Sequence, residues 1–318
     1  MEQRLDGIGH SHAKIILTGE HSVVYGQPAI ALPLTTIKAK ASLRFTTTGQ
    51  QIINSSYFDG LLKEMPASMF GLQHLLKTIL QEVHQKNASF TVKITSDLPA
   101  ERGMGSSAAV AIATIRCLYD AFDLKLTHSQ TLRLADIEET DTHKNPSGLD
   151  AATAASENPI WLIRDQELIP LPITMNAYLL ICDSGIKGQT GKAIRIVQDN
   201  LTNEYTTTQR HLKKLGNIAR QVRQQLSQND VCGLGNSLNE AQFHLKEIGV
   251  SSRDLESLIE VARQNGSLGS KLTGGGRGGC FINLTASRAK AEKLSAVMKQ
   301  HGVTKSWIQP LSSAIGGL

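Results

Sequence analysis

Residues 97–109 (DLPAERGMGSSAA) form a glycine- and serine-rich loop at the start of a predicted helix. Gly103 and Gly105 allow the backbone to turn tightly. Ser106 and Ser107 fall at the helix start, where free N–H groups and the helix dipole attract anions. Two hydroxyls at such a position could also reach a Mg²⁺ ion. The spacing therefore indicates a phosphate-binding loop, although an ordinary helix capped by serine fits the same residues.

Two common nucleotide-binding motifs are disfavoured. The loop matches the dinucleotide pattern G-x-G-x-x-A, but that motif needs its glycines directly after a strand. Here Asp97–Arg102, which include a proline, separate the glycines from a strand predicted to end near Thr95. A Walker A loop is not matched by 185–192 (GIKGQTGK), because its glycines are one residue too far apart and Ala193 replaces the required Ser or Thr.

A second glycine-rich segment, KLTGGGRGGC at 271–280, carries five glycines within 274–279. We expect it between a helix and a strand at 280–284, which is the wrong order for either nucleotide motif. So many glycines make an entropically costly turn unless backbone must approach something closely. The segment is therefore interpreted as a partner that supports the first loop, with a flexible turn as the alternative.

A polar segment, IEETDTHKNPSGLD at 137–150, supplies carboxylates around a predicted turn at NPSG. These are Glu138, Glu139, Asp141 and Asp150. For any one of them a solvated helix face is an ordinary explanation. Next to two phosphate-type loops, however, one carboxylate and a Ser hydroxyl could bind Mg²⁺, and a second carboxylate could accept a substrate proton.

The elements that must position these residues mix strands and helices without regular alternation, which predicts an α+β fold. Apolar residues alternate with polar ones from Ile37 to Phe45, which indicates a half-buried strand. Apolar periodicity and buried runs predict further strands near 13–18, 89–95, 178–184, 280–284 and 303–309. Helical periodicity is found near 67–86, 106–122, 128–143, 190–227, 230–247, 252–265 and 286–301. Pro170 and Pro172 mark a short polar link, so we expect domains at 1–172 and 173–318.

Composition excludes several classes of protein. The 318 residues are 40% hydrophobic and 19% charged, as in an ordinary globular chain, and no apolar run approaches the length of a bilayer helix. The net charge of +5 is spread along the chain, so neither a nucleic-acid nor a membrane partner is expected. The four cysteines lack paired spacing, and the first residues lack a signal-peptide pattern, so we expect a cytoplasmic location. His10, His12 and His21 lack accompanying ligands and are not interpreted as a metal site.

Together these segments resemble the GHMP kinases, the family named after galactokinase, homoserine kinase, mevalonate kinase and phosphomevalonate kinase. PAERGMGSSAA at 99–109 is similar to the family loop P-x₃-G-L-G-S-S-A-A, and KLTGGGRGGC is similar to K-x-T-G-A-G-G-G-G-C. AKIILTGEHSVVYGQPAIALPL at 13–34 and NPSGLD at 145–150 add two further matches in the right order. The resemblance implies a two-domain fold of mixed and antiparallel sheets covered by helices, with an active site in the inter-domain cleft. It also implies phosphoryl transfer from ATP, with Mg²⁺, to a small-molecule hydroxyl.

The resemblance implies roles for individual residues. Asp150 would accept the proton of the substrate hydroxyl, and Lys14 would neutralise the transferring phosphoryl group and hold Asp150 ionised. Ser107 and Glu139 would bind Mg²⁺. The ATP phosphates would contact the loop residues Pro99, Gly103, Met104, Gly105, Ser106, Ser107 and Ala108. The substrate side would be formed by Glu20, His21, Ser147, Thr190, Gly275 and Gly276.

Two residues depart from the family pattern. Met104 replaces the usual Leu, a volume-conserving change, and Arg277 stands where glycine is usual and has no assigned role. Without the resemblance, Lys14 would be interpreted as a surface lysine at a strand end. Two alternatives are left open. One is another small-molecule kinase of the same family, phosphomevalonate kinase above all, and the other is a nucleotide-binding regulatory protein without catalysis. The oligomeric state, a homodimer included, and feedback inhibition also stay open.

Overall fold

The computed structural model describes residues 6–99, 102–142 and 147–312. Its strands are β1 Gly7–Thr18, β2 Ala29–Phe45, β3 Gln51–Asn54, β4 Asp59–Leu61, β5 Phe90–Ser96, β6 Ile160–Ile163, β7 Glu167–Pro170, β8 Thr174–Asp183, β9 Gly269–Leu272, β10 Cys280–Thr285 and β11 Lys305–Ser312. Its α-helices are α1 Phe70–Glu82, α2 Ser106–Ala121, α3 His128–Thr142, α4 Leu149–Ala155, α5 Thr190–Asn203, α6 Tyr205–Gln228, α7 Val231–Glu247, α8 Arg253–Gln264 and α9 Arg288–Gln300. Mixed strands and helices confirm the predicted α+β class.

The described residues divide into two compact units. Unit 1 takes the described residues of Met1–Lys14, Pro33–Ala100 and Gly105–Glu157. Unit 2 takes those of Ile15–Leu32, Glu101–Met104 and Asn158–Leu318. Strands β1 and β2, which pair with each other, supply residues to both units. The predicted boundary between 172 and 173 remains a prediction.

Unit 1 combines a sheet with helices α1 to α4. Residues 39–45 of β2 pair antiparallel with β5, which pairs in parallel with β3, and β3 pairs antiparallel with β4. The predicted alternation in β2 is confirmed from Ile37 to Leu43, where the odd positions are buried. Phe45, expected on the same face, is instead exposed and packs beside Phe122, with ring centroids 5.5 Å apart. Helices α2 and α3 pack together in this unit and carry Ser107 and the Glu138–Glu139 pair.

Unit 2 contains an antiparallel sheet of order β11-β8-β10-β9, with helices α5 to α9. Residues 29–31 of β2 pair with β6, which pairs with β7. The long helix α6 buries Leu212, Leu215 and Val222 along one stripe, as its sequence period requires. No helix within the described ranges is long and apolar enough to span a bilayer.

Several expectations about elements were wrong. The single helical stretch near 190–227 is broken at Glu204, whose backbone leaves the helical region, into α5 and α6. Pro170, expected in a polar link, is the last residue of β7, where its missing N–H is tolerated at a strand end. The second glycine-rich segment follows strand β9 rather than a helix. Strands β3, β4, β6 and β7 and helix α4 were not predicted.

Candidate active site

Lys14 and Asp150 form an ion pair in unit 1. Lys14 lies on β1 with only 2% of its side chain exposed, and its Nζ lies 2.7 Å from Asp150 Oδ1. Asp150 lies in the first turn of α4, directly after Gly148 and Leu149, and 31% of its side chain is exposed. The interpretation of Lys14 as a surface lysine is therefore wrong. The lysine is buried, whereas the carboxylate that it contacts can still be reached from solvent.

The first glycine loop approaches Lys14 through Gly105. Gly105 precedes α2 with a φ of 69°, a left-handed conformation that favours glycine. A Cβ at this position would lie 2.8 Å from both Cγ and Cε of Lys14. The N-cap residue is Gly105, which has no side chain to cap the helix, so the alternative of an ordinary serine-capped helix is wrong. Ser106 and Ser107 are instead the first helical residues, where backbone N–H groups have no partner within the helix.

Ser107 contacts Glu138 rather than Glu139. The Ser107 hydroxyl donates a short hydrogen bond to Glu138 Oε1, and the Thr142 hydroxyl donates to the same oxygen at 2.7 Å. Glu138 is 5% exposed, while Ser107 itself is an exposed residue. Glu138 was noted only as one of several carboxylates. The two adjacent glutamates look alike in sequence, and only the packing of α3 against α2 decides which one reaches Ser107.

Glu139 is a buried carboxylate, one of whose oxygens lacks a partner among the described residues. It is 5% exposed, and its Oε2 has no hydrogen-bond partner among the described residues. Burial raises the pKa of Glu139 to about 8, with the nearby charge of Asp150 as the second cause and Lys14 acting in the opposite direction. A divalent cation would supply the missing charge, so this residue fits a metal ligand.

The metal-binding capacity of the site is limited. No group of three or more His, Cys, Asp or Glu side chains that could hold a metal occurs in the part of the chain that the structure describes. Mg²⁺ commonly uses one or two carboxylates and completes its shell with substrate phosphates and water. Glu139 and Ser107 are thus a donor set suited to a cation that arrives with a nucleotide.

In unit 2, Glu20 is tied to the strand that precedes the second glycine loop. Glu20 is 1% exposed and forms a short ion pair with Lys271 of β9, which is fully buried. Lys271 Nζ also donates to the Leu272 carbonyl oxygen at 2.6 Å. Burial lowers the pKa of Lys271, and the charge of Glu20 opposes that shift. Glu20 thus anchors β9 through Lys271, and the place on the substrate side that the resemblance implies for Glu20 stays a prediction.

His21 contacts the second glycine loop directly. Its Nε2 lies 3.1 Å from the Gly275 carbonyl oxygen, so the neutral ring can donate to it. Burial lowers the pKa of His21 to about 4, and the nearby Lys271 acts in the same direction. The ring is therefore neutral at physiological pH. His21 and Gly275, both predicted on the substrate side, lie together in unit 2.

The two glycine segments meet within unit 2, as their sequence suggested. A Cβ on Gly274 would lie 2.9 Å from Gly103 Cα, and a Cβ on Gly103 would lie 3.1 Å from the Thr273 carbonyl oxygen. A Cβ on Gly275 would lie 2.1 Å from Thr190 Oγ1, at the start of α5. Close backbone approach, and not flexibility, therefore explains the glycines at these positions.

Arginines hold both glycine segments in place. Arg277 has a φ of 57°, its N–H donates to the Val250 carbonyl at 2.9 Å, and its Nη1 donates to the Gly249 carbonyl at 3.2 Å. Arg277, to which the sequence assigned no role, thus connects the second loop by hydrogen bonds to the segment between α7 and α8. Arg102, not predicted as a site residue, pairs with Asp183 at 2.9 Å.

The remaining predicted residues support the loops. Met104 and Ala108 are buried, and Pro99 is half-buried. A Cβ on Gly276 would lie 2.2 Å from the Val250 carbonyl oxygen, so Gly276 packs against the connection that Arg277 also contacts. Ser147 Oγ accepts from the Leu149 N–H at 3.3 Å and shapes the entry to α4. Asn145 and Pro146 of NPSGLD lie outside the described residues.

Comparison with known proteins places this geometry in a family. Residues 72–158 match the GHMP kinases N terminal domain, and residues 222–304 match the GHMP kinases C terminal domain. A mevalonate kinase of Thermococcus sibiricus is 29% identical over 310 residues, which cover 90% of each chain.

Two solved structures share the fold over nearly the whole chain. A crystal structure of L. major mevalonate kinase in complex with R-mevalonate is 25% identical, with a TM-score of 0.84 over 96% of this chain and 97% of that one. Mevalonate kinase from methicillin-resistant Staphylococcus aureus is 28% identical, with a TM-score of 0.74 over 96% and 99%. The two matched domains, in the predicted order and with the predicted loops, identify the chain as a member of the GHMP kinase family.

Proposed function

We propose that this protein catalyses the ATP- and Mg²⁺-dependent phosphorylation of the 5-hydroxyl of mevalonate. The observation that carries the proposal is the Lys14–Asp150 ion pair, whose lysine stem lies against Gly105 at the start of α2. A general base, a cation and a phosphate-binding helix start are thereby collected in unit 1. Phosphoryl transfer depends mainly on positioning and charge stabilisation, which these groups supply.

Asp150 accepts the proton of the attacking hydroxyl. Its carboxylate is 31% exposed, so a substrate oxygen can approach it while Oδ1 stays 2.7 Å from Lys14 Nζ. The buried ammonium stabilises the charged carboxylate and the negative charge that develops during transfer. Asp150 accepts the proton as the new bond to phosphorus forms.

Ser107 and Glu139 hold the Mg²⁺ ion that accompanies ATP. Two observations support this assignment: Glu139 Oε2 has no hydrogen-bond partner among the described residues, and Ser107 is exposed. When bound, Mg²⁺ would neutralise charge on the phosphates during transfer. The N–H groups at the start of α2 would bind the phosphates.

Mevalonate is favoured over other family substrates by two segments and by the relatives. Residues 13–34, with GEH and VVYG, and residues 145–150 resemble the mevalonate kinase branch of the family. Relatives named mevalonate kinase match about nine-tenths of the chain. Glu20 does not itself distinguish mevalonate from phosphomevalonate, because its negative charge is balanced by Lys271. Because the ammonium group of Lys271 is paired with Glu20, it is not available to bind the phosphate of phosphomevalonate.

A regulatory protein without catalysis is disfavoured because the reacting groups are intact and correctly paired. Lys14 and Asp150 form an ion pair, and within the described part of the chain Glu139 Oε2 has no hydrogen-bond partner. A chain that only bound nucleotide would have no need to bury a lysine beside a reachable carboxylate, since taking a charged group out of water is costly even when it is paired.

A panel of acceptors tests the proposal. ADP release is measured by a coupled assay with ATP, Mg²⁺ and mevalonate, phosphomevalonate, homoserine or galactose in turn. We expect turnover with mevalonate at least about 100-fold above that with the other three, a ratio that differential transition-state binding can supply. Turnover with phosphomevalonate but not mevalonate would favour the sibling kinase, and ATP binding without any turnover would favour the regulatory protein.

A further inference from the structure

Glu138 is a buried carboxylate that the proposed reaction leaves without a role. Its Oε1 accepts hydrogen bonds from the hydroxyl groups of Ser107 and Thr142, and the residue is 5% exposed. Ser107 belongs to α2, whereas Glu138 and Thr142 belong to α3, so this oxygen joins the two helices inside unit 1. The contact involves the serine to which we assign a metal-binding function.

The side chain of Glu138 has little freedom to turn away. A Cβ on Gly71 of α1 would lie 3.0 Å from the Glu138 carbonyl oxygen, 3.2 Å from Thr142 Oγ1 and 3.3 Å from Glu138 Cγ. The backbone of α1 therefore closes directly on the stem of Glu138. With Thr142 fixing the same carboxylate oxygen at 2.7 Å, the acceptor for Ser107 is held in one place.

A hydroxyl that binds a cation does so through its oxygen, and its proton must then point elsewhere. A fixed carboxylate that accepts this proton orients the oxygen lone pairs away from itself and makes the oxygen a better donor. The carboxylate also places a negative charge one hydrogen bond away from the liganding oxygen, and this charge favours a cation over a neutral occupant of the site.

We propose that Glu138 is a positioning residue that presents the Ser107 oxygen to the divalent cation accompanying the nucleotide. The inference rests on the proposed function, because it assigns a partner to a ligand of the same site. A purely structural role, in which Glu138 only joins α2 to α3, is the alternative. The two roles differ in what removal of Glu138 does to nucleotide binding with and without metal.

The test compares E138A and E138Q with wild-type protein and with D136N, which removes a charge from an exposed position of the same helix. Mn²⁺ affinity is measured by electron paramagnetic resonance in the presence of a non-hydrolysable ATP analogue. Affinity for the analogue without metal and the thermal midpoint are measured in parallel. E138A is expected to weaken Mn²⁺ binding about 10-fold or more, the usual effect of losing a partner of a metal ligand.

The other variants separate geometry from charge. E138Q keeps an oxygen that accepts from Ser107, so it should lose affinity for Mn²⁺ about 3-fold, less than E138A, through charge alone. D136N should stay within about twofold of wild type, because its charge faces water. Affinity for the metal-free analogue should not fall in either Glu138 variant. If E138A does not fold, a wild-type Mn²⁺ affinity in E138Q would overturn the proposal.

Two further outcomes contradict the inference. E138A with wild-type Mn²⁺ affinity would remove Glu138 as a positioning residue. An equal loss of metal-bound and metal-free analogue would assign it the structural role. A wild-type protein that binds no Mn²⁺–nucleotide at all would overturn the proposed function and this inference together, whereas the first two outcomes leave the proposed function intact.

Discussion

At the scale of single residues, the protein places one buried cation beside one reachable carboxylate. Lys14 is 2% exposed and Asp150 is 31% exposed, so substrate can approach the pair only from the carboxylate side. Gly105 permits this because any side chain there would collide with the lysine stem. Under the proposed function, burial and not residue type alone therefore decides which of the two residues accepts a proton and which stabilises charge.

Replacing Asp150 with asparagine tests its role as the base. D150N keeps an oxygen that can accept from Lys14 Nζ but cannot take up the hydroxyl proton, so turnover should fall about 100-fold or more. ATP binding should persist, because the start of α2 is untouched. The measurements are ADP release with mevalonate and equilibrium binding of an ATP analogue.

The matched control is D165N, which changes an aspartate whose side chain is 89% exposed. It should behave as wild type in both measurements. Turnover of D150N within a few-fold of wild type, with an unchanged thermal midpoint, would show that Asp150 only orients the hydroxyl.

At the scale of elements, the Glu20–Lys271 pair connects the turn after β1 to β9 across 251 residues of sequence. Both side chains are almost completely buried, and β9 leads directly into the second glycine loop. His21, the next residue, reaches Gly275 in that loop. Glu20 and His21 therefore hold β9 and the glycine loop that follows it.

Breaking this buried pair should destabilise the protein. E20Q leaves the Lys271 ammonium buried without its carboxylate, which should lower the free energy of unfolding by about 3 kcal/mol. Urea denaturation monitored by circular dichroism measures the change. E82Q breaks the largely exposed pair of Glu82 with Arg133 and should cost less than about 1 kcal/mol. Equal effects of the two variants would contradict the assigned importance of the buried pair.

At the scale of the whole molecule, burial of histidines couples stability to pH. Burial lowers the pKa of His12, His21 and His244, and for His21 the value is about 4 rather than 6.5. The folded protein keeps His21 neutral, whereas the unfolded chain takes up a proton below pH 6.5. The contribution of His21 is therefore fully present above pH 6.5 and is lost as the pH falls towards 4.

The H21Q variant isolates this contribution from that of Glu139, whose raised pKa acts in the opposite direction. Glutamine can still donate to the Gly275 carbonyl oxygen but does not titrate. The stability of wild type relative to H21Q should fall by about 3 kcal/mol between pH 6.5 and pH 4. Urea midpoints at several pH values measure this difference, and a pH-independent difference would show that His21 is not buried as described.

Local patterns in the sequence predicted the parts of the fold that depend on nearby residues. The alternation over Ile37–Leu43 and the helix start at Ser106 follow from such patterns, and both were confirmed. The buried strand β9 was missed because its sequence, GSKL, places a lysine and a serine inside the protein. Lys271 can be buried there only because Glu20 neutralises it, and no local pattern reveals that partner.

The candidate site was predictable to a similar depth. The order of the motifs assigned four residues to one active site, and all four lie in unit 1: Lys14, Ser107, Glu139 and Asp150. That Ser107 contacts Glu138, or that Arg277 fastens its loop to Gly249, depends on how helices and loops pack. The cytoplasmic location remains a prediction.

The most direct test of phosphorylation at the 5-hydroxyl of mevalonate is the position of the phosphate in the product. The protein is incubated with ATP, Mg²⁺ and R-mevalonate, and the product is analysed by phosphorus NMR with coupling to carbon-bound protons. We expect one new phosphate monoester, coupled to the two protons of C5, that is formed in equal amount to ADP and that forms about 100-fold or more slower with D150N. ADP formed without this ester, or an ester on the tertiary C3 hydroxyl, would contradict the proposed function.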